Sequence, residues 1–362
     1  ALLELGRRTD ALNDLDRAVR LKPDAPALYA ERAEVLFRQK AYPGAIADCD
    51  KVLSLDPGWA PVRGLRGQCH AAAGNAAAAL ADFAAAIAAD PDQAAGYLLS
   101  RAHLHLDLDD PAAALADAEA SLKRDAENAS AYQCRGLAQR ALGDLDAAEA
   151  DFTEAIRLAP DAVLPRLARA NVRVDRKAHA AAAADCDVVL TAAPGTAQAH
   201  VLRGLCRQAL ADPDGAAADF AEAAKLTPGS PTAFNLRAGV HYQQGRYAAA
   251  VQDHLEGLKR DPRNAGTFNQ LGWIWATAPD PDVRDGKRAK ECATRACELT
   301  EWQDPGHLDT LAAAHAECGE FDDAVRWQEK SIELARTDEQ VEDFTTRLTL
   351  YQQGKPARVT PT

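Results

Sequence analysis

Small apolar residues recur along this chain at a fixed phase. One alanine series runs Ala11, Ala45, Ala79, Ala114, Ala148, Ala182, Ala216, Ala250, Ala289 and Ala324. Twelve residues ahead of most of these stands a second small residue: Ala33, Gly67, Ala102, Gly136, Ala170, Gly204, Ala238 and Ala312, with Gly272 set further back by a longer connection. Two small positions at this spacing predict two helices folded back on each other. The small side chains sit where the axes come closest, and a larger one would force them apart. Gly6, Gly74, Gly143, Gly245 and Gly319 mark the turn between the helices, where positive φ is useful. Pro23, Pro57, Pro91, Pro160, Pro194, Pro228 and Pro262 close each second helix and open the next pair, with Ala126 in the one vacant place. The period is 34 residues, or a multiple of it with one extra residue.

Composition narrows the chemistry. Alanine dominates, aromatic residues are 6% and charged residues 26%, a mixture that suits short, closely packed helices and is poor for sheets. The net charge of −13 argues against non-specific binding to nucleic acid or anionic membrane, which needs clustered Lys and Arg, and points to basic peptides or basic protein surfaces as partners. No apolar run reaches the 18 residues of a membrane span, and the start as given carries no signal peptide. The chain contains no Met, so it reads as a fragment, with a cytoplasmic compartment expected. Eight cysteines (49, 69, 134, 186, 206, 292, 297 and 318) form no C-x-x-C pair, and are expected to be small core residues of a reducing compartment.

In period and in the phase of its small residues, the chain resembles the tetratricopeptide repeat (TPR) family over essentially its whole length. The resemblance implies an all-α fold, an α-α superhelix of antiparallel helix pairs. The first helix of each pair would line a concave groove that receives an extended peptide or a partner helix. The expected layout is a half repeat (1–25) and nine full repeats (26–59, 60–93, 94–128, 129–162, 163–196, 197–230, 231–264, 265–303 and 304–338). A capping helix (339–352) and a flexible tail (353–362) follow. The stretch from Trp273 through the Pro- and Gly-containing insertion Ala278–Lys287 to the end of the array is similar to the closing repeats of bacterial TPR proteins, planctomycete ones especially. An open solenoid needs such a cap with a polar outer side. The face expected to pack inward is Val341, Phe344, Leu348 and Tyr351.

One departure from the family recurs. Numbering each repeat so that its first small residue is position 8, position 7 is normally apolar, yet here it is Arg32, Arg66, Arg101, Arg135, Arg169, Arg203 and Arg237. Sixteen residues later stand Asp48, Asp82, Asp117, Asp151, Asp185, Asp219 and Asp253, while the last two repeats carry Leu271 with Cys292 and Leu311 with Trp327. The two residue types appear and vanish together, so each Arg is expected to pair across its own helix hairpin. The competing reading is an arginine ladder for acidic ligands.

Catalytic and metal signatures are lacking. No H-E-x-x-H, phosphate-binding Gly loop or G-x-S-x-G occurs, and His103 and His105 are two apart on a helix, a poor metal pair. His70, His105, His241 and His315 share position 11 and read as half-buried packing residues. No cofactor and no metal are expected. The groove positions of the resemblance are 2, 5, 9 and 12, and they lack the basic clamp that chaperone-binding TPR domains use for a carboxylate. Asn171, Asn235, Tyr242, Asn269 and Trp273 are the candidate peptide contacts, as amides able to engage a peptide backbone and aromatic anchors. The chain therefore reads as a non-enzymatic scaffold or adaptor. The rival readings are a regulatory region of a larger enzyme, such as a bacterial Ser/Thr kinase, and a structural spacer or self-associating array.

Overall fold

A computed structural model describes residues 8–359, and among these every regular element is an α-helix. The chain divides into two compact units at Arg176/Lys177, inside the expected repeat 163–196. The first unit contains α1 (Arg8–Leu21), α2 (Pro26–Arg38), α3 (Tyr42–Leu55), α4 (Ala60–Ala72), α5 (Ala76–Ala89), α6 (Ala94–Asp107), α7 (Pro111–Leu122), α8 (Ala129–Ala141), α9 (Leu145–Leu158) and α10 (Val163–Asp175). The second contains α11 (His179–Ala192), α12 (Ala197–Ala209), α13 (Pro213–Leu226), α14 (Thr232–Gln243), α15 (Tyr247–Arg260), α16 (Ala265–Thr277), α17 (Gly286–Leu299), α18 (Pro305–Glu317), α19 (Phe321–Glu333) and α20 (Asp338–Gln352). Within each unit consecutive helices pack as hairpins, and each hairpin packs on the next.

The boundaries follow from local chemistry. Asp110, Asn128, Asp144, Asp212, Asn264, Asp285, Asp304 and Thr337 each accept a hydrogen bond from a backbone N–H of the first turn. The repeating prolines lie two residues beyond the ends of α1, α3, α5, α9, α11, α13 and α15, where no helix can continue. Gly74, Gly143, Gly245 and Gly319 take positive φ in their turns, while Gly6 lies outside the described residues. The hairpins α2/α3, α6/α7 and α12/α13 make the same left-handed turn without glycine, at Lys40, Asp109 and Ala211.

The alanine series is buried throughout, nine of its members showing 0% exposure and Ala11 6%. Position 8 follows a second rule, read against position 24. Where position 8 is Gly67, Gly136 or Gly204, the facing residue is Phe83, Phe152 or Phe220, and a Cβ on the glycine would come within 2.6–2.8 Å of the ring. Where position 8 is alanine, the facing residue is smaller, as with Cys49 against Ala33 and Ala118 against Ala102. Glycine and phenylalanine thus exchange volume in these three hairpins, whereas at Gly272, with Ala293 at position 24, a Cβ would lie 3.2 Å from the α17 backbone.

Three expectations change. Six cysteines are buried and Cys292 is half-buried, but Cys318 is exposed at the end of α18, and all eight are free thiols. On the capping helix Phe344 and Tyr351 are buried, whereas Val341 is exposed because the helix turns it outward. The tail is not loose from residue 353. Gly354, at φ 68°, reverses the chain, which then runs back along the unit with Ala357 only 6% exposed. There the Arg358 guanidinium pairs with Glu317 at 2.7 Å and the Val359 N–H donates to the Thr277 carbonyl at 3.0 Å. The insertion is anchored too: Arg284 donates to the Ala278 and Pro279 carbonyls and pairs with Glu317, and Gly286 and Lys287 already belong to α17.

Candidate functional site

The repeated Arg and Asp are the most regular polar feature. Arg32 directs Nε and Nη2 at the two oxygens of Asp48, at 2.7 and 2.6 Å. The same fork joins Arg66 to Asp82, Arg101 to Asp117, Arg135 to Asp151, Arg203 to Asp219 and Arg237 to Asp253, with all distances between 2.5 and 2.9 Å. The carboxylates are 2–7% exposed, and the hydrogen bonds they accept hold the arginines more firmly protonated than in water. Arg169 and Asp185 fall on either side of the division between units. Arg169 donates to Thr153 Oγ1, and Asp185 is 5% exposed.

The remaining Nη1 of several arginines reaches one repeat upstream, to Asp16 from Arg32, Asp50 from Arg66 and Asp187 from Arg203, at 2.6–2.8 Å. One guanidinium therefore ties its own hairpin and the preceding one. Arg32, Arg66 and Arg203 are engaged on both edges, while Arg101, Arg135 and Arg237 form the fork within their own hairpins, so each of these six guanidinium groups is ion-paired inside the array. In the last two repeats Leu271 and Leu311 replace the arginine and are buried.

The candidate groove residues do not form one site. Asn171 belongs to the first unit, where its Nδ2 donates to the Leu167 carbonyl at 2.8 Å. Trp273 Nε1 donates to Tyr242 Oη at 3.0 Å, and the Trp273 ring lies under the Arg347 guanidinium of the cap at 5.4 Å. Asn269 holds a buried Oδ1 that accepts no hydrogen bond among the described residues. Asn235 and Tyr242 line a cavity of about 510 Å³ together with Gln243, His254, Thr267 and Gln270, between the first helices α14 and α16. Asn269 and Trp273 do not line it.

His254 is the residue that sequence reading missed. It projects from α15 into the floor of this cavity, 5% exposed, and its Nδ1 donates to Asn235 Oδ1 at 3.2 Å. Burial pushes its pKa from 6.5 down to about 4, against the pull of the neighbouring Asp253 carboxylate, so the ring is neutral. Gly257, one turn later, makes room for this arrangement, since a Cβ there would overlap Asn235 Oδ1. A signal was present. Position 24 is Cys, Phe or Ala in the earlier repeats, and polar only at His254 and at Gln328, which likewise reaches position 5 of its own repeat, Asp309, at 2.8 Å.

Other titratable clusters are saturated by their neighbours. His315 Nδ1 lies 2.6 Å from Glu320 and 4.0 Å from Asp323, an arrangement a metal ion could bridge, but the Lys290 ammonium sits on both Glu320 oxygens at 2.8 and 2.9 Å. His70, His105 and His241 are half-buried.

Sequence patterns described as tetratricopeptide repeat match residues 1–58 and 201–265, 129–162, and 306–337, together just over half of the chain. The chain belongs to the tetratricopeptide repeat family. A curated relative, the Hsp70-Hsp90 organizing protein of Triticum aestivum, is 33% identical over 91 residues, covering 25% of this chain. The chain spans only 16% of that relative's length. Among solved structures, a tetratricopeptide repeat protein from Parabacteroides merdae aligns with 66% of this chain and 94% of its own, at TM-score 0.53 and 22% identity. Pseudomonas aeruginosa pilF aligns with 57% and 93%, at TM-score 0.51 and 17% identity. At such identities these TPR structures share the fold alone.

Proposed function

We propose that this TPR chain is a protein-interaction scaffold that holds a segment of a partner protein against α14 and α16. The observation that supports this most directly is the set of polar groups turned toward the cavity between those helices. Asn235 and His254 both line that cavity, and Asn235 Nδ2 and His254 Nε2 make no hydrogen bond among the described residues. Groups so placed await a partner's polar atoms, because an unmatched donor or acceptor in a partly desolvated site costs free energy. Asn269 stands at the same position in the next repeat, outside the cavity. The relative that organises Hsp70 and Hsp90 supports a binding role in kind. The net charge of −13 favours a partner whose flanking residues are basic.

The test is selection of peptides from a random display library on the intact chain, followed by titration of the winners. Each amide contact contributes about 1 kcal/mol, so the double variant Asn235→Ala, Asn269→Ala should bind them at least tenfold more weakly. Unchanged affinity would remove this reading.

A further inference from the structure

We propose that the cavity floored by His254 selects a primary carboxamide, a Gln or Asn side chain of the bound segment. This inference rests on the scaffold reading above and adds the chemistry of the selected group. The argument begins with proton positions. Asn235 Oδ1 can only accept, so the hydrogen of this contact lies on His254 Nδ1, which leaves the neutral ring a lone pair on Nε2 and leaves Asn235 both of its Nδ2 donors. A donor and an acceptor thus belong to two residues that line one cavity and touch each other. A carboxamide matches both, its NH₂ donating to Nε2 and its carbonyl accepting from Nδ2. An ionised carboxylate presents acceptors only and leaves Nε2 facing a second lone pair. An ammonium can donate to Nε2, but the lining is Asn, Gly, Tyr, Gln, His and Thr with no carboxylate, so its charge would be desolvated without compensation.

The pairing is built rather than incidental. His254 is set at a position that is apolar in six earlier repeats, and Gly257 clears the space Asn235 needs to reach it. His254 also faces Ala238, buried at 0%, so the ring fits without the glycine that Phe83, Phe152 and Phe220 require. The lateral walls, with Gln243 and Gln270, supply further amides of the kind that stack and hydrogen-bond with a side-chain amide.

The experiment uses the full chain labelled with ¹⁵N-histidine and four peptides, N-acetyl-Gly-Ala-Xaa-Xaa-Ala-Gly N-methylamide, with Xaa as Gln, Glu, Lys or Ala. The N-methyl end removes the primary amide that an ordinary peptide amide would carry. The expected result is a saturable shift of the His254 Nε2 resonance by the Gln peptide, with at least fivefold tighter binding than the other three. His254→Cys, which reproduces against Ala238 the combination seen at Ala33 and Cys49, should fold and lose the preference. His254→Gln should retain part of it. Equal binding of all four peptides, a preference that survives His254→Cys, or no saturable shift with any peptide would each overturn the proposal. If display-selected peptides still depend on Asn235 and Asn269 in that case, the carboxamide inference fails alone; if they do not, the scaffold reading fails with it.

Discussion

Gly136 lies against the ring of Phe152, where a Cβ would stand 2.8 Å from the nearest ring carbon. In an open helix interior, Gly→Ala stabilises by up to about 1 kcal/mol. Here the overlap should reverse the sign, since overpacking costs about 1–3 kcal/mol. Gly136→Ala should therefore lower the denaturation midpoint, and adding Phe152→Cys should cost less than the two single changes combined. Additive losses in that double-mutant cycle would show that the two positions do not share volume. The buried His254 ring carries a second residue-scale consequence. Its pKa is 6.5 when unfolded and about 4 when folded, so between these values the unfolded chain binds the extra proton. The stability contribution is complete above pH 6.5 and is lost as the pH falls toward 4, by about 1.4 kcal/mol per pH unit. His241, also depressed by burial, adds slope of the same sign. Urea midpoints taken from pH 6.5 to 4.5 should fall more steeply for the parent than for His254→Cys, and parallel curves would contradict the buried neutral ring.

Between elements, the Arg–Asp forks decide how tightly hairpins close and stack. Asp151 is 5% exposed and accepts both Nε and Nη2 of Arg135, whose side chain keeps 26% exposure. Asp151→Ala strands that guanidinium between α8 and α9. Full burial would make the loss about 3–5 kcal/mol, and solvent access to the arginine reduces it to about 2 kcal/mol. A thermal scan indistinguishable from the parent would show the fork to be energetically idle. The pairing across a hairpin was legible because Arg and Asp stand sixteen residues apart and are lost together at Leu271 and Leu311. The upstream links to Asp16, Asp50 and Asp187 were not, because they depend on how successive repeats are stacked.

At the scale of the chain, no helix among the described residues is long and apolar enough to cross a membrane. In the second unit α20 packs on α19. Arg347 of α20 donates to Asp309, itself 5% exposed, at 2.7 Å, and Gln328 donates to the Phe344 carbonyl, so the cap satisfies polar groups as well as covering apolar ones. Burial raises the pKa of Asp309 against the pull of Arg347. Removing residues 338–362 should leave Asp309 with Gln328 but without its Arg347 counter-charge, and uncover the surface beneath Phe344 and Tyr351. The expected outcome is a lower melting midpoint and self-association in light scattering. A truncated chain that stayed monodisperse with an unchanged midpoint would show the cap to be dispensable.

By itself the sequence determined the helix pairs, their turns, the small residues at their closest approach and the Arg–Asp complementarity. Each of these is a spacing within one hairpin, and helical geometry converts spacing directly into a face. Only the tertiary structure decided that Asn235 and Tyr242 share a cavity while Trp273 is tied to Tyr242 and the cap, that the tail packs from Gly354 to Val359, and that the array divides inside one expected repeat. The physical reason is that neighbouring repeats meet through side chains far apart in the chain, whose register no local period encodes. His254 shows the boundary between the two. Its identity broke an apolar column that could be read from the sequence, but the lone pair it offers depends on Asn235 reaching it across the space left by Gly257.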